Sequence, residues 1–135
     1  MTAAQKEFMP WTDAFMIGER TIDSQHKLLV SLVNQLYEAM RTGQGRTALQ
    51  GILKSLIQYT QTHFRYEESV LRQHAYAGLN EHISQHRKLE ETVLAFQREF
   101  EDGAAGITVE LMDFLSNWLR CHILENDKKY APFIA

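Results

Sequence analysis

Apolar side chains recur at i, i+3/4, i+7 spacing in four stretches of the chain, the period of a helix that buries one face. Residues 23–42 carry Leu29, Val33, Leu36 and Met40, with Asp23 or Ser24 placed to cap the start. Residues 46–74 carry Leu49, Ile52, Leu53, Leu56, Thr60, Val70 and Leu71. Residues 79–102 carry Leu79, Leu89, Val93, Phe96 and Phe100, and residues 108–126 carry Leu111, Leu115 and Trp118. The helix breakers fall between these stretches, at Gly43 and Gly45, at Gly78, and at Gly103 and Gly106, while Pro10 and Pro132 stand outside them. Alternation of the strand type is absent over any useful length. Short glycine-containing connections between long amphipathic helices predict an all-α fold, an up-down-up-down antiparallel four-helix bundle over residues 21–130. Residues 1–20, with Phe8, Trp11, Phe15 and Ile17, predict an N-terminal arm laid on the bundle surface.

The length of 135 residues fits one domain, and 44% hydrophobic residues fill its core without a disulfide or structural metal. Any metal is therefore expected to be functional rather than structural. A net charge of -3 with scattered Lys and Arg gives no reason to expect nucleic acid or an anionic membrane surface. Cys121 is the single cysteine, so no internal disulfide forms, and it is read as a passive helical side chain. Residues 1–10 lack the apolar core of a signal peptide, and no apolar run approaches the ~20 residues of a membrane span. These features predict a soluble cytoplasmic protein, taken as a monomer.

The histidines change the picture most. Of six, five continue the apolar stripes: His26 before Leu29 and Val33, His63 after Leu56 and Thr60, His82 and His86 in the row of Leu79, Leu89 and Val93, and His122 after Leu115 and Trp118. Glu67 lies one turn beyond His63. A lone inward histidine is an ordinary core residue once both ring nitrogens are satisfied. An inward carboxylate must be paired, protonated or metal-bound, and five imidazoles converging with it leave little room for coincidence. His26, His82 and His86 sit near the starts of helices one and three; His63, Glu67, His122 and Asp127 sit near the ends of helices two and four. In an up-down-up-down bundle those are one end, so the residues form one layer.

His63 with Glu67 and His82 with His86 are i, i+4 pairs, about 40° apart around a helix, so both members reach one centre. Imidazole with carboxylate suits iron, manganese or zinc. Cysteine pairs for a structural zinc site, the zinc-protease pattern His-Glu-x-x-His and the Glu-x-x-His pair of ferritin-like di-iron enzymes are all missing. His122 and Asp127 are five residues apart, about 140° on a regular α-helix, which predicts a π-type bulge or an early helix end between them. Glu68 and Asp113 are assigned to the solvated face, His74 to the surface, and no further buried titratable group is expected beside the site.

The residues that carry this chemistry resemble the hemerythrins, and among them the single-domain bacterial members. The likeness runs through Ile22-Asp23-Ser24-Gln25-His26-Lys27-Leu28, His63-Phe64 followed by Glu67-Glu68, His82-x-x-x-His86, Trp118-Leu119-x-x-His122-Ile123 and Asp127-Lys128, with Trp11 and Ile17-Gly18 in the arm. The family commonly has an aromatic-Pro pair after helix two, where this chain has Tyr76-Ala77. The resemblance implies reversible binding of dioxygen by two non-haem irons, Fe2+ in the deoxy form and Fe3+ in the oxygenated or oxidised forms, with a bridging oxo or hydroxo ion. It implies that His82, His86 and His122 bind one iron, His26 and His63 the other, and that Glu67 and Asp127 bridge both. It places Leu119 at the open iron position with Trp118 alongside, and makes small anions such as azide ligands of the ferric form. No residue is assigned a catalytic role, so the expectation is a carrier or store. An oxygen- or redox-sensing domain, and an enzyme acting on peroxide or nitric oxide, are the alternatives.

Overall fold

The computed structural model describes residues 7–103 and 106–134. A short 3-10 turn at Asp13–Phe15 precedes four long helices, α1 (Arg20–Arg41), α2 (Arg46–Gln73), α3 (Leu79–Glu101) and α4 (Val109–Cys121). A π-helical stretch at His122–Asp127 joins α4 without a break to α5 (Lys128–Ile134). No strand occurs among the described residues. Helix α1 packs against α2 and α4, and α2 packs against α3, giving the expected antiparallel four-helix bundle.

The helix ends follow from local hydrogen bonding, with two departures from expectation. Helix α1 starts three residues earlier than the pattern suggested, because Glu19 and not Asp23 is its cap: the Glu19 carboxylate accepts from the Ile22 N–H at 2.6 Å. Asp23 instead accepts from the backbone N–H groups of Ile17 at 2.8 Å and Gly18 at 3.1 Å, tying the arm to the helix. Helical structure also continues beyond residue 126 to Ile134 and takes Pro132 inside α5. Thr108 caps α4, its hydroxyl accepting from Leu111 N–H.

The arm is more than a surface feature. Met9, Phe15 and Ile17 are buried with the core, and the side-chain amide of Asn34 clasps the Met9 backbone, accepting from its N–H at 2.7 Å and donating to its carbonyl at 2.9 Å. Sequence periodicity could not show this, since the arm has none.

Two apolar clusters divide the interior. The larger runs through all four long helices and includes Leu29, Val33, Leu56, Phe64, Leu89, Phe100, Met112 and Leu115. The smaller unites Ile17, Ile22, Leu71, Tyr130 and Ile134. Ile22 is one turn before His26 and Leu71 one turn after Glu67, so the histidine layer lies between the two clusters and is closed by apolar side chains on both sides.

Helix α2 ends with Ala75 at φ +51°, its N–H bonded to Arg72 O and the Tyr76 N–H bonded to Leu71 O. The same ending closes α1 with Gly43 at φ +72°. A left-handed L-residue costs roughly 1–2 kcal/mol, of which about half is returned because glycine is freer when unfolded. Ala75→Gly, at an exposed position, should therefore raise stability by about 0.5–1 kcal/mol; chemical denaturation measures it, and a loss of stability would contradict this reading of the turn.

Candidate metal centre

Each of the seven residues that the sequence marks as ligands faces the same layer. His26 comes from α1, His63 and Glu67 from α2, His82 and His86 from α3, and His122 and Asp127 from the π-helical stretch. None is more than 3% exposed. Glu67 turns Oε1 toward His82 Nε2 (2.7 Å) and His86 Nε2 (3.0 Å), and Oε2 toward His63 Nε2 (3.5 Å) and His26 Nε2 (3.7 Å). Asp127 does the same from the other side: Oδ1 lies 3.1 Å from His82 Nε2 and 3.2 Å from His122 Nε2, while Oδ2 lies 3.0 Å from His26 Nε2. Each carboxylate thus offers one oxygen to each of two histidine groups.

Hydrogen bonding alone does not satisfy this cluster. Both ring nitrogens of His26 and both oxygens of Asp127 are buried and make no hydrogen bond, which is costly for polar atoms away from water. His86 Nε2 and His122 Nε2 point at each other across 3.1 Å. Glu67, His82, His86 and His122 bring one donor atom apiece within 4.8 Å of one another, and so do His26, His63, Glu67 and Asp127. Lone pairs aimed at a common point from imidazole and carboxylate suit two adjacent cations.

Without a cation, the charges redistribute through protons. Burial disfavours the charged form of His26, but Asp127 and Glu67 outweigh it and push its pKa up to about 9. His82 responds to burial and the same two carboxylates in the same way, also reaching about 9. For His63 burial wins, and its pKa falls to about 4. Burial would raise the pKa of Glu67 and Asp127, yet the surrounding histidines hold Glu67 well below the ordinary carboxylate value and lower Asp127 as well.

The backbone brings His122 and Asp127 to one side by the departure from α-geometry that their spacing demanded. Through His122–Asp127 the helix is π-type, and the Lys128 N–H reaches back five residues to Ile123 O. The extra residue in the turn brings the Asp127 carboxylate back above His122.

Three neighbours were not assigned to the site from the sequence. Tyr130, wholly buried, donates its hydroxyl to Glu67 Oε2 at 2.6 Å. Burial, with the Asp127 and Glu67 charges, raises its pKa far above the ordinary tyrosine value, so it remains a donor. Glu68 is 4% exposed and accepts from His86 Nδ1 at 2.8 Å, which corrects its assignment to the solvated face and the expectation of no further buried titratable group. Gln25 Oε1 accepts from His63 Nδ1 at 2.6 Å. The i, i+3 spacing of Asp127 and Tyr130 was a usable signal; Glu68 had none, because its partners come from another helix. Asp113 and His74 are exposed as expected, and Cys121 is an exposed residue at the end of α4.

Aromatic rings back the imidazoles. Phe64 stacks on His86 with centroids 3.7 Å apart, and half-buried Trp118 stacks on His122 at 4.5 Å. Phe64, Trp118 and Leu119 also line an apolar cavity of about 40 Å³ with Leu29, Thr60 and Leu115. Trp118 thus touches both this cavity and the His122 imidazole, and Leu119 lines the cavity beside it.

Comparison with known proteins agrees with this geometry. A family model described as the hemerythrin HHE cation binding domain matches residues 18–134. A bacteriohemerythrin of Methylococcus capsulatus is 33% identical over 128 residues, covering 94% of this chain and 97% of that protein. A bacteriohemerythrin of Pseudomonas aeruginosa is 31% identical over 124 residues, covering 92% of this chain and 80% of its own. Among solved structures, wild-type hemerythrin superposes with a TM-score of 0.89 at 32% identity, covering 94% of this chain and 98% of that one.

Two outcomes follow from the geometry and charge of the site. Deleting Glu125 would restore an α-helical count and leave Asp127 four residues after His122, about 40° around the helix and still in the layer, whereas Asp127→Ala removes the carboxylate outright. The deletion variant should keep both its helical circular dichroism and its divalent metal content, and Asp127→Ala should keep the helix but hold fewer divalent metal ions per chain; undiminished metal content in Asp127→Ala would show that Asp127 is not needed. Metal ligands must be neutral imidazoles, so loading at pH 7 must expel the protons of His26 and His82, at least about two per chain. Affinity should accordingly climb with pH and level off above about 9, where both rings have lost their protons. Calorimetry in buffers of different ionisation enthalpy counts the protons, and pH-independent binding without release would contradict the charge assignment.

Proposed function

As the chain belongs to the hemerythrin family, we propose that it binds dioxygen reversibly at a pair of non-haem iron ions, to carry, store or deliver it. The observation that carries this reading is the two-sided presentation of Glu67 and Asp127, one oxygen toward each histidine group. His82, His86 and His122 with one oxygen from each carboxylate make five donors for one iron. His26 and His63 with the remaining oxygens make four for the other. With six positions on each iron and an oxo or hydroxo ion shared between them, the His82–His86–His122 side is complete. The His26–His63 side keeps one position open, which is what a ligand site requires.

Two ferrous ions supply the electrons that a reversibly held dioxygen borrows. The chain's own part is to hold the pair and to control what reaches it. Glu67 is fixed by Tyr130, and His63 and His86 are fixed in orientation by Gln25 and Glu68. The apolar cavity bounded by Leu119, Trp118 and Phe64 admits a small apolar molecule more readily than water. The same open position would take azide in the ferric form. Among the described residues no nucleophile is placed beside the histidine layer to carry a reaction onward, which favours carriage over turnover.

The test is an absorption spectrum of the iron-loaded protein, deoxygenated and then exposed to air through several cycles. Close to two irons per chain are expected, with a visible charge-transfer band that appears in air and vanishes on removal of oxygen. A single irreversible oxidation, sustained turnover of peroxide or nitric oxide, or a zinc-loaded protein with no iron-dependent band would overturn the proposal.

A further inference from the structure

Two of the five imidazoles donate their Nδ1–H to a side chain, and the acceptors differ in charge. His63 donates to the neutral amide of Gln25, whereas His86 donates to the carboxylate of Glu68. The Arg87 guanidinium pairs with this carboxylate, which keeps the group an anion. It is also anchored. Arg87 donates to both Glu68 oxygens, at 2.8 and 3.1 Å, and Arg65 lies 3.7 Å away. Arg65 grips Glu90 through two bonds of 2.8 and 3.1 Å, and Arg87 shares Glu90 at 3.1 Å. Two acids and two guanidinium groups thus lock α2 to α3 directly behind His86, and among the described residues only the amide of Gln25 bonds His63 from behind.

We propose that Glu68 is a positioning residue that makes the two irons electrochemically unequal, so that the one held by His82, His86 and His122 is oxidised first. The inference rests on the di-iron reading above. A carboxylate draws on the Nδ1 proton more strongly than an amide does, and the imidazole passes that density to the metal through Nε2. Greater donation favours Fe3+ over Fe2+ and lowers the reduction potential of that iron. Gln25 gives His63 the same orientation without the charge. The first electron withdrawn by an outer oxidant such as ferricyanide therefore leaves the coordinatively complete iron, which goes from Fe2+ to Fe3+ while ferricyanide becomes ferrocyanide. The iron with the open position stays ferrous.

Anaerobic spectroelectrochemical titration of the iron-loaded protein tests this, with iron content measured alongside. Wild type should show two one-electron waves. Glu68→Gln keeps the hydrogen bond and removes the charge, and should cost the first iron about tenfold in its preference for Fe3+, raising the lower potential by about 59 mV with the upper wave nearly still. Arg87→Met leaves Glu68 less neutralised and should move the lower wave in the opposite direction. Gln25→Glu should lower the upper wave and narrow the gap. A merely structural role would move Glu68→Gln and Arg87→Met the same way, together with iron content. If Glu68→Gln does not retain iron, Arg87→Met decides alone, and a lower wave that rises or does not move overturns the inference. Two irons with reversible oxygen binding but unseparated waves would sink this inference and leave the functional reading intact. Fewer than two irons would sink both.

Discussion

Glu67 and Asp127 are ionised carboxylates with no solvent exposure, held at the middle of an apolar bundle. Each such charge costs several kcal/mol unless compensated in place, and compensation is what the rest of the layer provides. Five imidazoles surround the pair, drawn from all four long segments of the bundle. In the metal-free chain, protons on His26 and His82 balance the two negative charges. With cations present the same atoms become ligands, and the orphaned His26 Nε2 and Asp127 oxygens find partners. The helix registers, the π-helical stretch and the sealing clusters all follow from the need to bring these atoms to one point out of water.

The layer is sealed unequally. On one side Ile22, Leu71 and Tyr130 close it, with Tyr130 contributing a hydrogen bond as well as bulk. On the other side Phe64 and Trp118 cover imidazole faces and open onto an apolar cavity beside Leu119. The donor count is unequal too, with three histidines in one group and two in the other. The charge behind the ligands follows the same division, a guanidinium-anchored carboxylate behind His86 and a neutral amide behind His63. The group with three histidines is thus the one backed by the anchored carboxylate, and the group with two is the one backed by the amide.

Much of this was legible in the sequence because helical periodicity reports which side of a helix faces inward. The stripes through His26, His63, His82, His86 and His122 identified the layer, and the five-residue step from His122 to Asp127 demanded the non-α turn that the structure contains. What escaped reading depends on partners distant in sequence. Glu68 stands about 100° from Glu67 on α2 and looks solvent-facing until Arg87 and His86 of α3 enclose it. Met9 is buried because Asn34, 25 residues on, satisfies its backbone, an exchange with no periodic signature. Asp23 resembled a helix cap by position, but the chain reversal at Gly18 claims its carboxylate and leaves capping to Glu19.

On the proposed reading, the seven buried side chains hold two irons and leave one position free on the His26–His63 side. Anomalous diffraction at the iron edge, from crystals of the iron-loaded protein soaked in azide, addresses it directly. Two iron peaks should appear, both touched by Glu67 and Asp127, with azide bound only to the iron carried by His26 and His63. A single peak, or azide on the iron carried by His82, His86 and His122, or azide bridging both, would contradict it.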